Sequence, residues 1–303
     1  MANFSNLLSG LPQDIQIILA DVGSAGGLHK RWDPVRSHVS AVLFDPLDES
    51  TISNRDRYFP VALASGAGRA TLNVTKRVSM TSMLLPNRQL LSRFWDKPDH
   101  TSIVSTLDIP TEALDSVMEK AGIALDAIKI DVQGGEHEIL KGARACLDKS
   151  IFLAEVEVSF LERYSGLRKF NEVVALMAES GFELIDISRI KRYRYRNRSG
   201  IVNPGLGLGD RAGRLAFCDA IFMLNDEKLL GRIATDPQLG LKAMLALLVY
   251  GKADIAAWIF DAMADRLEKG PRDAFARYYR GLAGRHLGWK GLHRALDYLA
   301  RRV

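Results

Sequence analysis

Cysteine is scarce in this chain of 303 residues: Cys146 and Cys218 are the only two, and they lie far apart. A disulfide framework is therefore not expected, and both read as buried small hydrophobes in a reducing compartment. Neither the cysteines nor the histidines fall into ligand spacing, so no metal site is expected. The first residues, Met1 to Leu19, lack the basic start and long apolar core of a secretory signal. Long hydrophobic runs are missing too. The longest, Ala243 to Tyr250, falls well short of the roughly 20 residues that cross a bilayer. A cytoplasmic chain with no membrane span is the expectation. Also absent are a complete G-x-G-x-x-G fingerprint and a Tyr-x-x-x-Lys pair, which weakens a nicotinamide-dependent reading.

What is present is an ordinary globular composition, 47% hydrophobic and 25% charged, with a net charge of +5. Short apolar runs alternate with helical spacing, which argues for βαβ units and a mostly parallel sheet. Strands are expected at Ile15–Val22, Ala41–Phe44, Tyr58–Ala64, Ala70–Val74, 127–132, Ile151–Val158, Phe182–Ile187 and Ala220–Leu224. The run at Ala70–Val74 would belong to a hairpin extension after Gly66 and Gly68. Helices are expected at Thr111–Ala121, from the end of the 127–132 strand to about Leu147, and at Phe170–Ser180. Ile190 to Phe217 reads as an irregular connection. From Asp236 onward the strand pattern ends. Leu239–Val249, Asp254–Leu267, Arg272–Leu287 and Leu292–Arg302 have amphipathic helical spacing, broken at glycines. The expected organisation is one α/β domain over 1–232 and an all-helical region over 233–303.

Chemistry is expected at the carboxyl ends of the strands, where open α/β sheets bind ligands. The first strand delivers Asp21-Val22-Gly23-Ser24-Ala25-Gly26-Gly27, a turn whose glycines let backbone approach a ligand closely. Asp21, Gly23, Ser24 and Gly26 are candidate cofactor contacts, set against a tight turn with no ligand. Asp45 ends the second strand, placed to accept both hydroxyls of a ribose or simply to start a turn. Ala64 and Ser65, ending the third, would border an adenine. Asp131 closes the 127–132 strand as a general base, an acceptor-orienting group or a metal ligand. Lys129 should point away from the pocket, because strand residues alternate between faces.

Glu136 and Glu138 fall in the first turn of the following helix, where the macrodipole favours negative charge. Glu136 is also a candidate substrate contact. His137 has a suitable proton-transfer pKa, with solvent contact or capping as its plainer role, and His29 is read the same way. Glu155 and Glu157 share one strand face and need partners if buried. They are candidates for acceptor recognition or catalysis, against a structural ion pair. The run Lys191–Arg198 interleaves arginines with Tyr193 and Tyr195. Arg192 and Arg194 could clamp an anionic sugar or phosphate, or the run could be a solvated loop. No nucleic-acid module is recognisable. Trp32, Trp95 and Trp258 read as core anchors.

The segment Ile128-Lys129-Ile130-Asp131-Val132-Gln133-Gly134-Gly135-Glu136-His137-Glu138-Ile139-Leu140-Lys141-Gly142-Ala143 resembles the hallmark of the FkbM family of S-adenosylmethionine-dependent methyltransferases. Glu155-Val156-Glu157-Val158-Ser159-Phe160-Leu161-Glu162-Arg163-Tyr164 and the turn at 21–27 are similar to further family segments. The resemblance covers roughly Ile17 to Leu224 and implies a class I, Rossmann-like methyltransferase sheet whose last strand runs antiparallel. It implies S-adenosyl-L-methionine as cofactor and methyl transfer, usually to a hydroxyl of a small-molecule or glycan acceptor: a saccharide or secondary metabolite. Asp131, Glu155, Glu157 or His137 would take the proton. The C-terminal helices lie outside the family pattern and are expected to mediate self-association as a homodimer or to complete the acceptor site. Two rival readings use the same residues: a nicotinamide-dependent oxidoreductase, and a non-catalytic binding or assembly protein built on this fold.

Overall fold

The apolar runs flagged by the sequence become the centre of a seven-stranded sheet. The computed structural model describes residues 4–24, 27–47, 56–201 and 212–283. Its strands are β1 (Ile17–Val22), β2 (Val39–Phe44), β3 (Arg57–Phe59), β4 (Ala62–Ala64), β5 (Gly68–Thr75), β6 (Ile103–Ala113), β7 (Ala127–Ile130), β8 (Leu153–Ser159), β9 (Phe182–Tyr193) and β10 (Arg214–Leu224). The large sheet has the order β3-β2-β1-β7-β8-β10-β9. Pairs β2–β3, β1–β7 and β7–β8 are parallel, and β10 runs antiparallel to both β8 and β9. The mostly parallel sheet with an antiparallel last strand therefore matches the expectation from the sequence. Every residue of β7 and β8 is buried, as for strands covered on both faces.

Several boundaries moved, for identifiable reasons. The expected strand 58–64 is two strands, because Pro60 cannot donate to a ladder and the chain changes sheet there. β3 joins the large sheet, while β4 joins a small one of order β4-β6-β5. The strand near 70–74 exists as β5, but its partner is β6, well downstream, and no local hairpin forms. β6 escaped notice because most of it is exposed and its apolar residues are interrupted by Ser105, Thr106 and Asp108, so it has no long apolar run to flag. It also takes the residues expected to start a helix at Thr111, and that helix spans Leu114–Ala121. The stretch after Ile190 is not wholly irregular: β9 continues to Tyr193 and pairs with the start of β10.

The helix after β7 is interrupted, giving Glu136–Lys141 and Arg144–Lys149. The cause is Gly142. A Cβ there would lie 2.3 Å from the Ala64 carbonyl and 3.2 Å from Ser65 Cα. The end of β4 thus packs directly on the helix break.

The chain divides into two units, residues 18–28 with 40–228 and residues 1–17 with 29–39 and 229–303. The first holds both sheets. The second is helical, with Pro237–Val249 and Ala253–Met263 against each other and residues 269–283 also helical. The helix Asp226–Thr235, for which no sequence pattern was flagged, buries Leu229 and Ile233. In the second unit, Trp32 is buried and meets the Tyr250 ring edge-on at 5.9 Å. Trp95 and Trp258 are instead 43% and 39% exposed, so only Trp32 is a core anchor. Trp258 sits on a helix whose buried positions, Ala256, Ile259 and Met263, follow helical spacing and leave it outward. The expected helix at Leu292–Arg302 lies outside the described residues, as does the end of that expected at Arg272–Leu287. Among the described residues, no helix is long and apolar enough to cross a membrane.

Gly142→Ala should destabilise the protein by about 2 kcal/mol or more, since the new methyl meets backbone that cannot rotate away. Denaturant titration would show it as a lowered midpoint with unchanged slope, and an unchanged midpoint would refute the close-packing account.

Candidate active site

The strand ends of the sheet unit open onto a cavity of about 1050 Å³. Its floor begins at Gly23, where φ is +82°. Gly23 N–H donates to the Phe44 carbonyl (2.9 Å), and Asp131 N–H donates to the Val22 carbonyl (3.0 Å). The turn therefore ties the ends of β1, β2 and β7 together. A side chain at Gly23 would place Cβ 2.1 Å from the Asp131 carbonyl oxygen. Glycine is required there by both conformation and space.

Asp131 lines the cavity, as do Asp45 and Glu157. Asp45 caps its own turn, with Oδ1 accepting from Leu47 N–H at 2.8 Å. Asp131 and Glu157 are joined by Gln133, whose amide nitrogen donates to Asp131 Oδ1 and to Glu157 Oε1, each at 3.0 Å. Arg163 donates to Glu157 Oε1 (2.6 Å), to Gln133 Oε1 (3.2 Å) and to Ser159 Oγ. Tyr164 Oη donates to the Met80 carbonyl at 2.9 Å and lies 3.3 Å from Gln133 Oε1. Gln133 itself has φ +61°, a strained conformation for a non-glycine residue, and Gly134 follows at +121°. The loop holds because its backbone is clamped: Glu136 accepts from Val132 and Gly134 N–H, and Ser82 Oγ donates to the Gln133 carbonyl.

The structure separates the remaining candidates. Asp21 is buried and does not line the cavity; its Oδ1 pairs with Lys129 Nζ at 3.1 Å. Registers Asp21↔Lys129 and Lys129↔Glu155 put these three side by side on one face. Lys129 does not line the cavity, but not because it faces the other side: it shares a strand face with Asp131 and is held back as the buried counter-ion of Asp21. Burial pushes the Asp21 carboxyl up, with Lys129 opposing. Glu155 is buried in the same row and is not a lining residue. Glu136 is spent on the loop backbone. His137 faces away from the cavity, against Glu138 Oε1 at 3.2 Å, in a separate surface groove. Ala64 and Ser65 pack on Gly142 and do not line the cavity, although Ala62 and Leu63 do. Arg192 lines it and Arg194 does not. Gly26 lies outside the described residues. His29 accepts from Arg31 N–H, a capping role.

Sequence reasoning missed the hub formed by Gln133 and Arg163. A signal existed: two carboxylates on a buried strand require a cation nearby, and Arg163 stands six residues after Glu157. Asp56, Tyr58, Arg77, Lys97, Arg189 and Lys191 also line the cavity. They come from loops and strand ends that local patterns do not connect.

Two observations bear on whether a cofactor fits. Ser24 Oγ, in the turn after β1, is buried with no hydrogen-bond partner among the described residues. Gly27, a lining residue with φ +90°, has open space where a Cβ would be. Bare backbone facing the cavity suits an elongated ligand held at strand ends, and Ser24, although not a lining residue, leaves a polar atom in the same turn without a partner among the described residues. Among the described residues no cluster of His, Cys, Asp or Glu is arranged to hold a metal ion.

This strand order, with the carboxylates of β2 and β7 facing a cavity at the carboxyl ends, is that of the class I methyltransferase fold. The chain belongs to the FkbM methyltransferase family: the Methyltransferase FkbM domain profile matches residues 28–184, just over half of the chain. S-adenosylmethionine is accordingly its cofactor. Among solved structures, the methyltransferase FkbM from Methylobacillus flagellatus KT is similar at 12% identity and TM-score 0.34. That alignment covers 69% of this chain and 43% of the other, so the chain spans less than half of that protein. A putative S-adenosylmethionine-dependent methyltransferase from Listeria monocytogenes is similar at 9% identity and TM-score 0.35, covering 74% and 97%. Magnesium protoporphyrin IX methyltransferase from Synechocystis PCC 6803, with bound S-adenosylmethionine, is similar at 9% and 0.30, covering 73% and 76%. No curated protein matches the chain.

Glu157 generates a pH prediction. Burial, reinforced by Asp131 and Glu136 and opposed by Arg163, pushes its carboxyl from 4.5 up to about 8. Between those values the folded chain holds a proton that the unfolded chain has released, so stability falls as pH rises across that window. Glu157→Gln should flatten this decline in a plot of Tm against pH from 5 to 8 (an experimental range chosen as roughly that window). An undiminished slope in the variant would contradict it.

Proposed function

We propose that the chain transfers the methyl group of S-adenosylmethionine to a hydroxyl of a saccharide, glycan or secondary-metabolite intermediate, within this cavity. The observation that carries the reading is the pair Asp131 and Glu157, bridged by Gln133 at the ends of adjacent strands. Asp45, Ser24 and the turn at Gly23–Gly27 would hold the cofactor, with Asp45 toward the ribose hydroxyls. When bound, the cofactor supplies an electrophilic methyl carbon. The protein itself then has to align an acceptor oxygen with that carbon and to receive the hydroxyl proton. Asp131 suits the role of proton acceptor, because it lines the cavity and the Gln133 amide fixes its orientation. Glu157, through the same amide, positions Asp131.

Of the other proton acceptors considered, Glu155 and His137 stand off the cavity and are better read as structural. Residues 1–232 would form the methyltransferase domain and 233–303 a helical region for self-association. A cytoplasmic location agrees with an acceptor drawn from intracellular biosynthesis.

Calorimetric titration with S-adenosylmethionine, using NADH as the control, should show saturable binding of the former alone. Binding of NADH alone would reverse the choice of cofactor. Asp131→Asn should keep cofactor affinity within about twofold while slowing transfer to any accepted hydroxyl compound by ~10²-fold or more. Full turnover in that variant would remove Asp131 from the mechanism.

A further inference from the structure

The cavity is electrically lopsided. Its acids, Asp45, Asp56, Asp131 and Glu157, come from the β2, β7 and β8 side. Of its cations, Arg189, Lys191 and Arg192 come from β9, at the far edge of the sheet, while Arg77 and Lys97 come from the segment between β5 and β6. Strands lie about 4.8 Å apart, and five spacings separate β2 from β9 in the strand order. By strand spacing the acid at the end of β2 is therefore on the order of 24 Å from β9, and Glu157 on β8 on the order of 10 Å from it.

Some of these cations are spoken for. Arg163 is paired with Glu157, Arg189 with Asp219 at 3.2 Å, and Lys97 with Asp96 at 2.9 Å. Three have no acidic partner among the described residues. Arg77 donates to Ser79 Oγ at 3.3 Å, Arg192 donates to the Gly213 carbonyl at 3.5 Å, and Lys191 makes no side-chain hydrogen bond or ion pair among the described residues. All three are exposed, so solvent screens their mutual repulsion, and an anionic ligand seated among them adds the counter-charge they lack.

The backbone shows how they are gathered. In a regular strand Lys191 and Arg192 would face opposite sides. Here the β9–β10 register breaks between Leu215 and Phe217 and again between Phe217 and Asp219. Arg189, opposite this irregular stretch, holds φ at +49°. Bulges of this kind re-aim side chains beside functional sites. The strand end is further fixed by Trp95 N–H donating to the Arg194 carbonyl and Arg196 N–H to the Arg93 carbonyl. The cluster of Leu91, Phe94, Leu161, Tyr193 and Ala216 packs beneath.

From this we infer that Arg77, Lys191 and Arg192 form an anion-binding subsite, and that the methyl acceptor is an anionic hydroxyl compound carrying a phosphoryl or carboxylate group. The inference rests on the cavity being the transfer site. The cofactor occupies the acidic end, the reacting hydroxyl lies by Asp131, and the acceptor's charged group extends to the basic end. An uncharged sugar would leave that end without a counter-charge.

The test is calorimetry on the full chain, with S-adenosylhomocysteine present, titrating inorganic pyrophosphate and, separately, citrate. Wild type should bind at least one of these anions, more weakly as salt rises. K191Q/R192Q and Arg77→Gln should each weaken that binding about tenfold or more. Arg69→Gln, which removes an exposed partner of Asp108 outside the cavity, should leave it unchanged. S-adenosylhomocysteine affinity should be the same in all four chains, which also shows that the variants fold. Stronger pyrophosphate binding supports a phosphorylated acceptor, and stronger citrate binding a carboxylated one. No anion binding, or equal binding in the cavity variants, would overturn the subsite. If wild type binds anions but not S-adenosylhomocysteine, the transferase reading fails and the acceptor role falls with it, while the anion site itself stands.

Discussion

Everything at the site depends on how Glu157 is neutralised inside the protein. A carboxyl group on a fully buried central strand cannot remain there without hydrogen-bond partners. Arg163 supplies one, and then reaches on to Gln133, so one guanidinium fixes both the strand and the neighbouring loop. Gln133 in turn sets Asp131. The strained backbone at Gln133 persists because Glu136 and Ser82 hold the loop from both sides. Removing any one of these partners would leave a buried polar group unpaired, which is costlier than the bond itself is worth. This is a connected network and not a set of separable contacts.

A second buried pair supports the first from beneath. Asp21, Lys129 and Glu155 form a row across β1, β7 and β8, one layer further from the strand ends. The acid expected to meet the cofactor is therefore buried against Lys129, and the cavity is lined instead by residues of the turn that follows it. The two rows divide the labour: the inner one stabilises the sheet's polar layer, and the outer one faces the cavity.

The chain's excess of positive charge is not spread evenly. Part of it lines the cavity along β9, held there by register breaks that a regular strand would not have. Residues just past β9, Arg194 and Arg196, carry the backbone bonds that dock the segment around Trp95, so the cations of β9 and Lys97 line the same cavity.

Local pattern was enough to specify the sheet and its chemistry-bearing strand ends. Continuous apolar runs at β1, β7 and β8 can be satisfied only by burial on both faces, and the motif around Asp131 reads locally because its parts are neighbours in the chain. Gly23 was legible for the same reason. Which charges meet was settled by the packed fold instead. Asp21 and Lys129, or Gln133 and Glu157, are far apart in sequence and join only through strand register. Ala64 and Ser65 went to Gly142 because Pro60 moved the chain into another sheet. His137 turned outward with the helix that carries it. The basic end of the cavity was visible as a run of arginines, but which of them line the cavity depended on register breaks between β9 and β10. Register and long-range pairing are properties of the packed sheet, and no local pattern encodes them.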